Sequence, residues 1–188
     1  NSVFVVKFTG GGLTSWATAS SSDGALSSSA IAVDGSGNVY ITGSFECTLN
    51  DYQDEYGDAI FNNIGYSDIY VTKFSSNGNF SYARQYGGRA EDYGRGICIS
   101  STNQPIVVGS FKNDLFVPTS SNFNATNLGN WTAIGCASNN GYCGDSDYGS
   151  FHKMPASGNS DVFMMNAFDP NREPYDFYLR TGSGCNRD

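Results

Sequence analysis

Apolar and polar residues alternate along much of this chain with a period of two, in short runs closed by Gly, Asn, Asp or Ser. The run 39–45 is representative: Val39, Ile41 and Gly43 alternate with Tyr40, Thr42 and Ser44. Successive side chains of a strand point to opposite faces, so runs of this kind predict β-strands. The same reading places strands at 3–8, around 15–19, and at 31–34, 39–45, 69–74, 80–86, 96–100 and 106–111. Gly-rich segments at 9–12 and 35–38 predict tight turns between them. No window carries the i, i+3, i+4, i+7 stripe of an amphipathic helix, so helix content should be near zero.

The pattern is itself repeated. Residues 1–45 recur as residues 67–111 at an offset of 66: Lys7 maps to Lys73, Phe8 to Phe74, Gly12 to Gly78, and Gly43-Ser44-Phe45 to Gly109-Ser110-Phe111. Conservative exchanges fill the rest, among them Phe4 to Tyr70 and Trp16 to Tyr82. A third, partial copy opens at Ser160-Asp161-Val162-Phe163 and runs to 184. Repeats of this length mark solenoids or propellers, in which one unit cannot bury its apolar face alone. Residues 1–188 therefore read as one β-repeat domain of four-strand units, with a connector at 46–66 and a long insertion at 112–159.

Composition supports the all-β reading. The chain has 188 residues with 23 Gly, 12 Tyr and 13 Phe, an aromatic content that a disordered chain lacks. A net charge of −8 argues against nucleic acid or anionic membrane as partner, since both need clustered Lys and Arg. No apolar run reaches the length of roughly 20 residues that spans a bilayer. With neither an initiator Met nor a leader pattern, the sequence reads as a mature chain or a piece of a longer one.

Cys136 and Cys143 bracket a short turn-rich loop and are expected to form a local disulfide. Cys47 and Cys185 are placed to tether loose ends, whereas Cys98 falls on a strand beside apolar neighbours and is expected to be buried. Three N-x-S/T triplets begin at Asn79, Asn124 and Asn130, the first in a hairpin turn and the others in the insertion. Glycans need exposed sites of that kind, so cysteines and triplets together point to an oxidising, extracellular or cell-surface setting.

Candidate chemistry is sparse. His152 is the single histidine on which a nucleophilic triad or dyad would depend. Gly144-Asp145-Ser146 matches a hydrolase fragment without the context such motifs need. Asp51, Asp54, Glu55 and Asp58, and separately Asp145 and Asp147, have the oxygen ligands calcium favours, but not the spacing of a calcium loop. A solvated acidic loop is the commoner cause of such composition, and no cofactor is expected. Trp131, Tyr142, Tyr148 and Phe151 offer rings to a sugar, or a small core for the insertion itself. Lys7 and Lys73 share a repeat position and read as side chains reaching solvent over apolar surface. The chain is therefore expected not to be an enzyme.

The repeat resembles the bacterial seven-bladed β-propeller repeat family. The resemblance lies in Phe4-Val5-Val6-Lys7-Phe8, Gly12, Trp16, Ile31-Ala32-Val33-Asp34 and Gly37-Asn38-Val39-Tyr40-Ile41-Thr42-Gly43. The second copy keeps Asp68 to Phe74, Gly78, Tyr82, Gly87-Gly88 and Asp92. This resemblance implies four-stranded blades, about two and a half of them here; the long disulfide-stapled insertion, the cysteines and the partial third copy depart from the family pattern. In the blade order 31–34, 39–45, 69–74, 80–86, the chain opens on the outer half of a blade. So few blades do not close a propeller, and open strand edges need a partner. The expectation is an extracellular structural protein that completes its sheets with identical copies, building a filament or surface layer. Strand 3–8 (Val3, Val5, Phe8) and strand 176–181 (Phe177, Leu179) are the expected assembly edges. The alternative is a fragment of a larger secreted adhesin or carbohydrate-binding propeller, with glycans as partners.

Overall fold

The computed structural model describes residues 1–51, 61–118, 151–155 and 160–166. Within them the chain forms thirteen strands: β1 Ser2–Phe8, β2 Thr14–Ser22, β3 Leu26–Val33, β4 Val39–Phe45, β5 Thr48–Asp51, β6 Phe61–Asn62, β7 Asp68–Phe74, β8 Phe80–Tyr86, β9 Tyr93–Ile99, β10 Pro105–Phe111, β11 Asp114–Pro118, β12 Phe151–Pro155 and β13 Asp161–Asn166. There is no helix among the described residues. All eight strands expected from alternation are present, most of them one to four residues longer than the pattern indicates.

The strands form three main antiparallel sheets and a ribbon. The first sheet has the order β1-β2-β5-β6, the second β3-β4-β7-β8 and the third β13-β10-β9, while β11 pairs with β12. The second sheet reproduces the strand order expected of one repeat unit. The third repeats its first three strands, with β10 pairing β13 as β4 pairs β7. Even irregularities recur at the offset of 66. The bulge between Lys7 and Phe8 returns between Lys73 and Phe74, and the one at Ser28/Ala30 returns opposite Val108/Gly109. At that second bulge the opposing carbonyl crowds the strand. A Cβ on Gly43 would collide with the Ser27 carbonyl oxygen, and one on Gly109 with that of Tyr93. Glycine in the repeated Gly-Ser-Phe is therefore a steric requirement.

Alternation also builds the core. Each face of the second sheet packs on a different neighbour. Val39, Ile41, Tyr70 and Phe74 join Val3 and Val5 of the first sheet in one apolar cluster. Ile69, Val71 and Tyr86 join Val107, Phe163 and Met165 of the third sheet in another. The face of a sheet turned toward the preceding sheet is its upstream face, and the opposite one its downstream face.

Two expectations need correction. The connector 46–66 is not simply a loop: β5 and β6 extend the first sheet, and Leu49 is buried in its core. β2 runs on to Ser22, and its far edge is thereby paired rather than left open. The insertion likewise begins and ends as a ribbon, β11 with β12, anchored by the fully buried Leu115. The rest of the insertion lies outside the described residues.

Candidate assembly surface

β1 is the edge of the first sheet, hydrogen-bonded to β2 on one side with no described strand on the other. In the second sheet the equivalent strand β7 is paired on both sides, by β4 and β8. Among the described residues, the first sheet thus has no counterpart of β3 and β4 of the second. The consequence reaches the second sheet, where Ile31 and Val33 of β3 are exposed. Their repeat equivalents in β9, Ile97 and Ile99, are half-buried, and Ile97 packs on the second cluster.

The upstream face of β1 is also uncovered. Phe4 is 74% exposed and Phe8 62%, whereas their repeat equivalents Tyr70 and Phe74 are each 1% exposed. The same residue types at the same register are core in one sheet and surface in the other, because among the described residues the second sheet has a sheet packed upstream of it and the first has none. Beside the two rings run half-buried Val6 and the exposed Ala17 and Ala19 of β2, which give an apolar strip with low relief. Of the residues expected to carry assembly, Val3 and Val5 point the other way and are buried in the chain's own core. They leave only backbone to the edge. Phe8 is exposed at the end of β1, and Phe177 and Leu179 lie outside the described residues.

The first sheet is held in position by a polar clasp. The Lys7 ammonium and the Trp16 indole N–H both donate to the Ser76 carbonyl in the β7–β8 turn, at 3.0 and 3.1 Å. Gly78 lies against the Trp16 ring, 2.6 Å from which a Cβ would fall, in the left-handed region (φ 88°). Lys7 is thus more than a side chain extended to solvent. Lys73, its equivalent, sits over the rings of Tyr40 and Tyr82. A second clasp joins the inner turns. Asp34 accepts from the Ser36 and Asn38 amides and from the Asn38 side chain, while the Gly35 N–H donates to the side chain of Asn103, which holds the position of Gly37 in the next unit's turn.

A buried carboxylate pair lies where the second sheet passes to the third. Asp68 is fully buried, and its Oδ2 accepts from the Ile64 amide (2.7 Å) and the Gln85 side chain (2.5 Å) while Oδ1 has no hydrogen-bond partner. Asp92 is equally buried and accepts from the Gly88 and Lys112 amides. Burial pushes Asp68 up to about 7. Burial and the neighbouring Asp68 charge push Asp92 up to about 8. Alternation does not announce this pair, since both residues sit at strand entries where Asp reads as turn punctuation.

The remaining sequence-derived candidates are distributed as follows. Asn79 is exposed just before β8, open to a glycan; Asn124 and Asn130 lie outside the described residues. Cys47 and Cys98 carry free, exposed thiols. Cys98 therefore departs from expectation: it pairs with Ile106 on the uncovered downstream face of the third sheet, away from the core that takes Ile97. Cys136, Cys143 and Cys185 lie outside the described residues, as do Asp54, Glu55, Asp58, Asp145, Asp147, Trp131, Tyr142 and Tyr148. Asp51 ends β5, and Phe151 and His152 belong to β12. Among the described residues, no three His, Cys, Asp or Glu side chains lie together as metal ligands. No helix among the described residues is long and apolar enough to cross a membrane.

A family model described as a β-propeller repeat matches residues 21–44. The chain resembles the β-propeller repeat family. The matched stretch runs from the end of β2 through β3, the Asp34 turn and nearly all of β4. Among the described residues, the first sheet has no counterpart of this β3–β4 pair. No curated protein matches the chain.

Proposed function

We propose that this chain is a structural, non-catalytic protein of an extracellular surface, and that it assembles with copies of itself through its incomplete first blade. In this reading the sheets are roughly two and a half propeller blades, and a neighbouring copy supplies what the opening half-blade lacks. The observation that carries it is the contrast between exposed Phe4 and Phe8 and buried Tyr70 and Phe74 at equivalent positions. The unpaired edge of β1 and the bare Ile31 and Val33 support it independently. Strand addition at an open edge is a general binding mode, and proteins otherwise protect such edges. The exposed Asn79 triplet supports an extracellular setting. No metal or cofactor enters the proposal.

A second reading rests on strand order. The strands missing from the first blade are those that precede β1 in the repeat, so further blades of a longer secreted polypeptide, an adhesin or sugar-binding propeller, would fill the same edge. The two readings separate in the double variant Phe4→Glu/Phe8→Glu. Both side chains are exposed, so the fold should survive, and native particles should fall to single chains in velocity sedimentation. Particles of unchanged size in the variant would refute self-assembly through this blade.

A further inference from the structure

Resting on that reading, we infer that the surface seated on the first sheet is the downstream face of the third sheet of another copy, so that chains associate head to tail. The two interfaces inside the chain follow one rule. Val3 and Val5 on the downstream side of β1 pack in one cluster with Tyr70 and Phe74 on the upstream side of β7. Ile69 and Val71 on the downstream side of β7 pack with Phe163 and Met165 on the upstream side of β13. A pair of aliphatic side chains two residues apart thus meets, in both interfaces, a ring at one register of the next sheet, since Phe163 pairs with Gly109 as Tyr70 pairs with Gly43, while Met165 takes the register of Thr72.

Each half of a third such interface is present and uncovered. Val162 and Met164 of β13 occupy the positions of Ile69 and Val71, since Val162 pairs with Ser110 as Ile69 pairs with Ser44. Val162 is 53% exposed, whereas Ile69 is 0% exposed. Val108 and Cys98 on the same face are exposed as well. At the other end, Phe4 and Phe8 hold the positions of Tyr70 and Phe74 without a covering sheet. Two different surfaces of one chain are therefore complementary by the geometry the chain already uses internally. Contact between unlike surfaces is heterologous, and it yields a ring if the rotation closes or a filament if it does not.

Complementary variants test this polarity. Val162→Glu with Val108→Glu blocks the tail, and Phe4→Glu with Phe8→Glu blocks the head; each should be monomeric with an unchanged circular dichroism spectrum and melting midpoint. Mixed in equal amounts, they should form a 1:1 heterodimer that grows no further, because each partner keeps one competent surface. In wild-type assemblies, peptide-resolved alkylation of Cys98 should slow at least about tenfold relative to the monomeric variants. A tail-blocked variant that assembles like the wild type, or a mixture that stays monomeric, overturns the tail assignment while leaving the role of the first blade intact. A wild-type chain that never assembles overturns both.

Discussion

Phe74→Ala is expected to destabilise the chain by about 3–5 kcal/mol, while Phe8→Ala, the same change at the equivalent position, leaves stability within about 0.5 kcal/mol. Phe74 is buried between the first and second sheets and meets Phe80 edge to face, with ring centroids 6.4 Å apart. Truncation there leaves a cavity that neighbouring strands cannot close without breaking register. Phe8 has solvent where Phe74 has a sheet, so truncation removes no internal contact of that kind. In the proposed assembly its effect falls on association instead: losing one ring from a buried contact weakens it by roughly 1.5–3 kcal/mol, or about ten- to hundredfold. Urea unfolding of both variants, with sedimentation of Phe8→Ala across a dilution series, reads the two effects apart. Equal destabilisation by the two substitutions would mean that Phe8 is covered within the chain and is no docking residue.

Stability should fall as pH rises from about 4 to 8, and Asp68→Asn should flatten that fall. Folded Asp68 and Asp92 hold their protons up to about pH 7 and 8, whereas in the unfolded chain both lose them near 3.8. Between those limits the folded state binds more protons than the unfolded state. The stabilisation from these two groups is complete below the unfolded value and is lost as pH climbs through the folded values. The expected loss is on the order of a few kcal/mol, because two buried negative charges must then coexist. Asparagine at 68 keeps an acceptor for Ile64 and Gln85 but carries no charge, so the variant should gain on the wild type as pH rises from about 4 to 7 and hold that gain above it. Asp34 works in the opposite sense, as its hydrogen bonds with Asn38, Ser36 and Tyr40 outweigh burial and hold its carboxyl below the ordinary value. Comparing the variant with wild type isolates Asp68 from that background. Parallel pH profiles for the two would show that Asp68 ionises freely in the folded chain.

Much of this architecture is legible in the residues because its causes are local. Period-two alternation gives β4 and β8 to the residue, and the offset of 66 carries one unit onto the next through turns and bulges alike. The equivalence of β1 and β7 also follows, since Lys7 and Lys73 mark the same strand. What escapes is set by neighbours distant in sequence. Phe4 and Tyr70 look equivalent in any alignment, and only the presence or absence of an upstream sheet makes one surface and the other core. Cys98 fails for the same reason: its position is apolar in the repeat, but no described sheet covers that face. The β5–β6 and β11–β12 pairs escape because Thr48–Asp51 and Phe61–Asn62 are too short to show alternation. Asp68 escapes because its burial depends on Gln85 and the Gly87 backbone, which lies too close to the carboxylate for any Cβ.

Whether copies of one short chain complete each other is read most simply from a comparison of masses. Native material should be sized by light scattering, then measured again by mass spectrometry under denaturing conditions. The expected result is a denatured chain near 20.1 kDa plus any glycan, together with native particles many times larger. A denatured chain several times heavier, behaving as a monomer under native conditions, would mean that the missing strands belong to the same polypeptide, and self-assembly through the first blade would be contradicted.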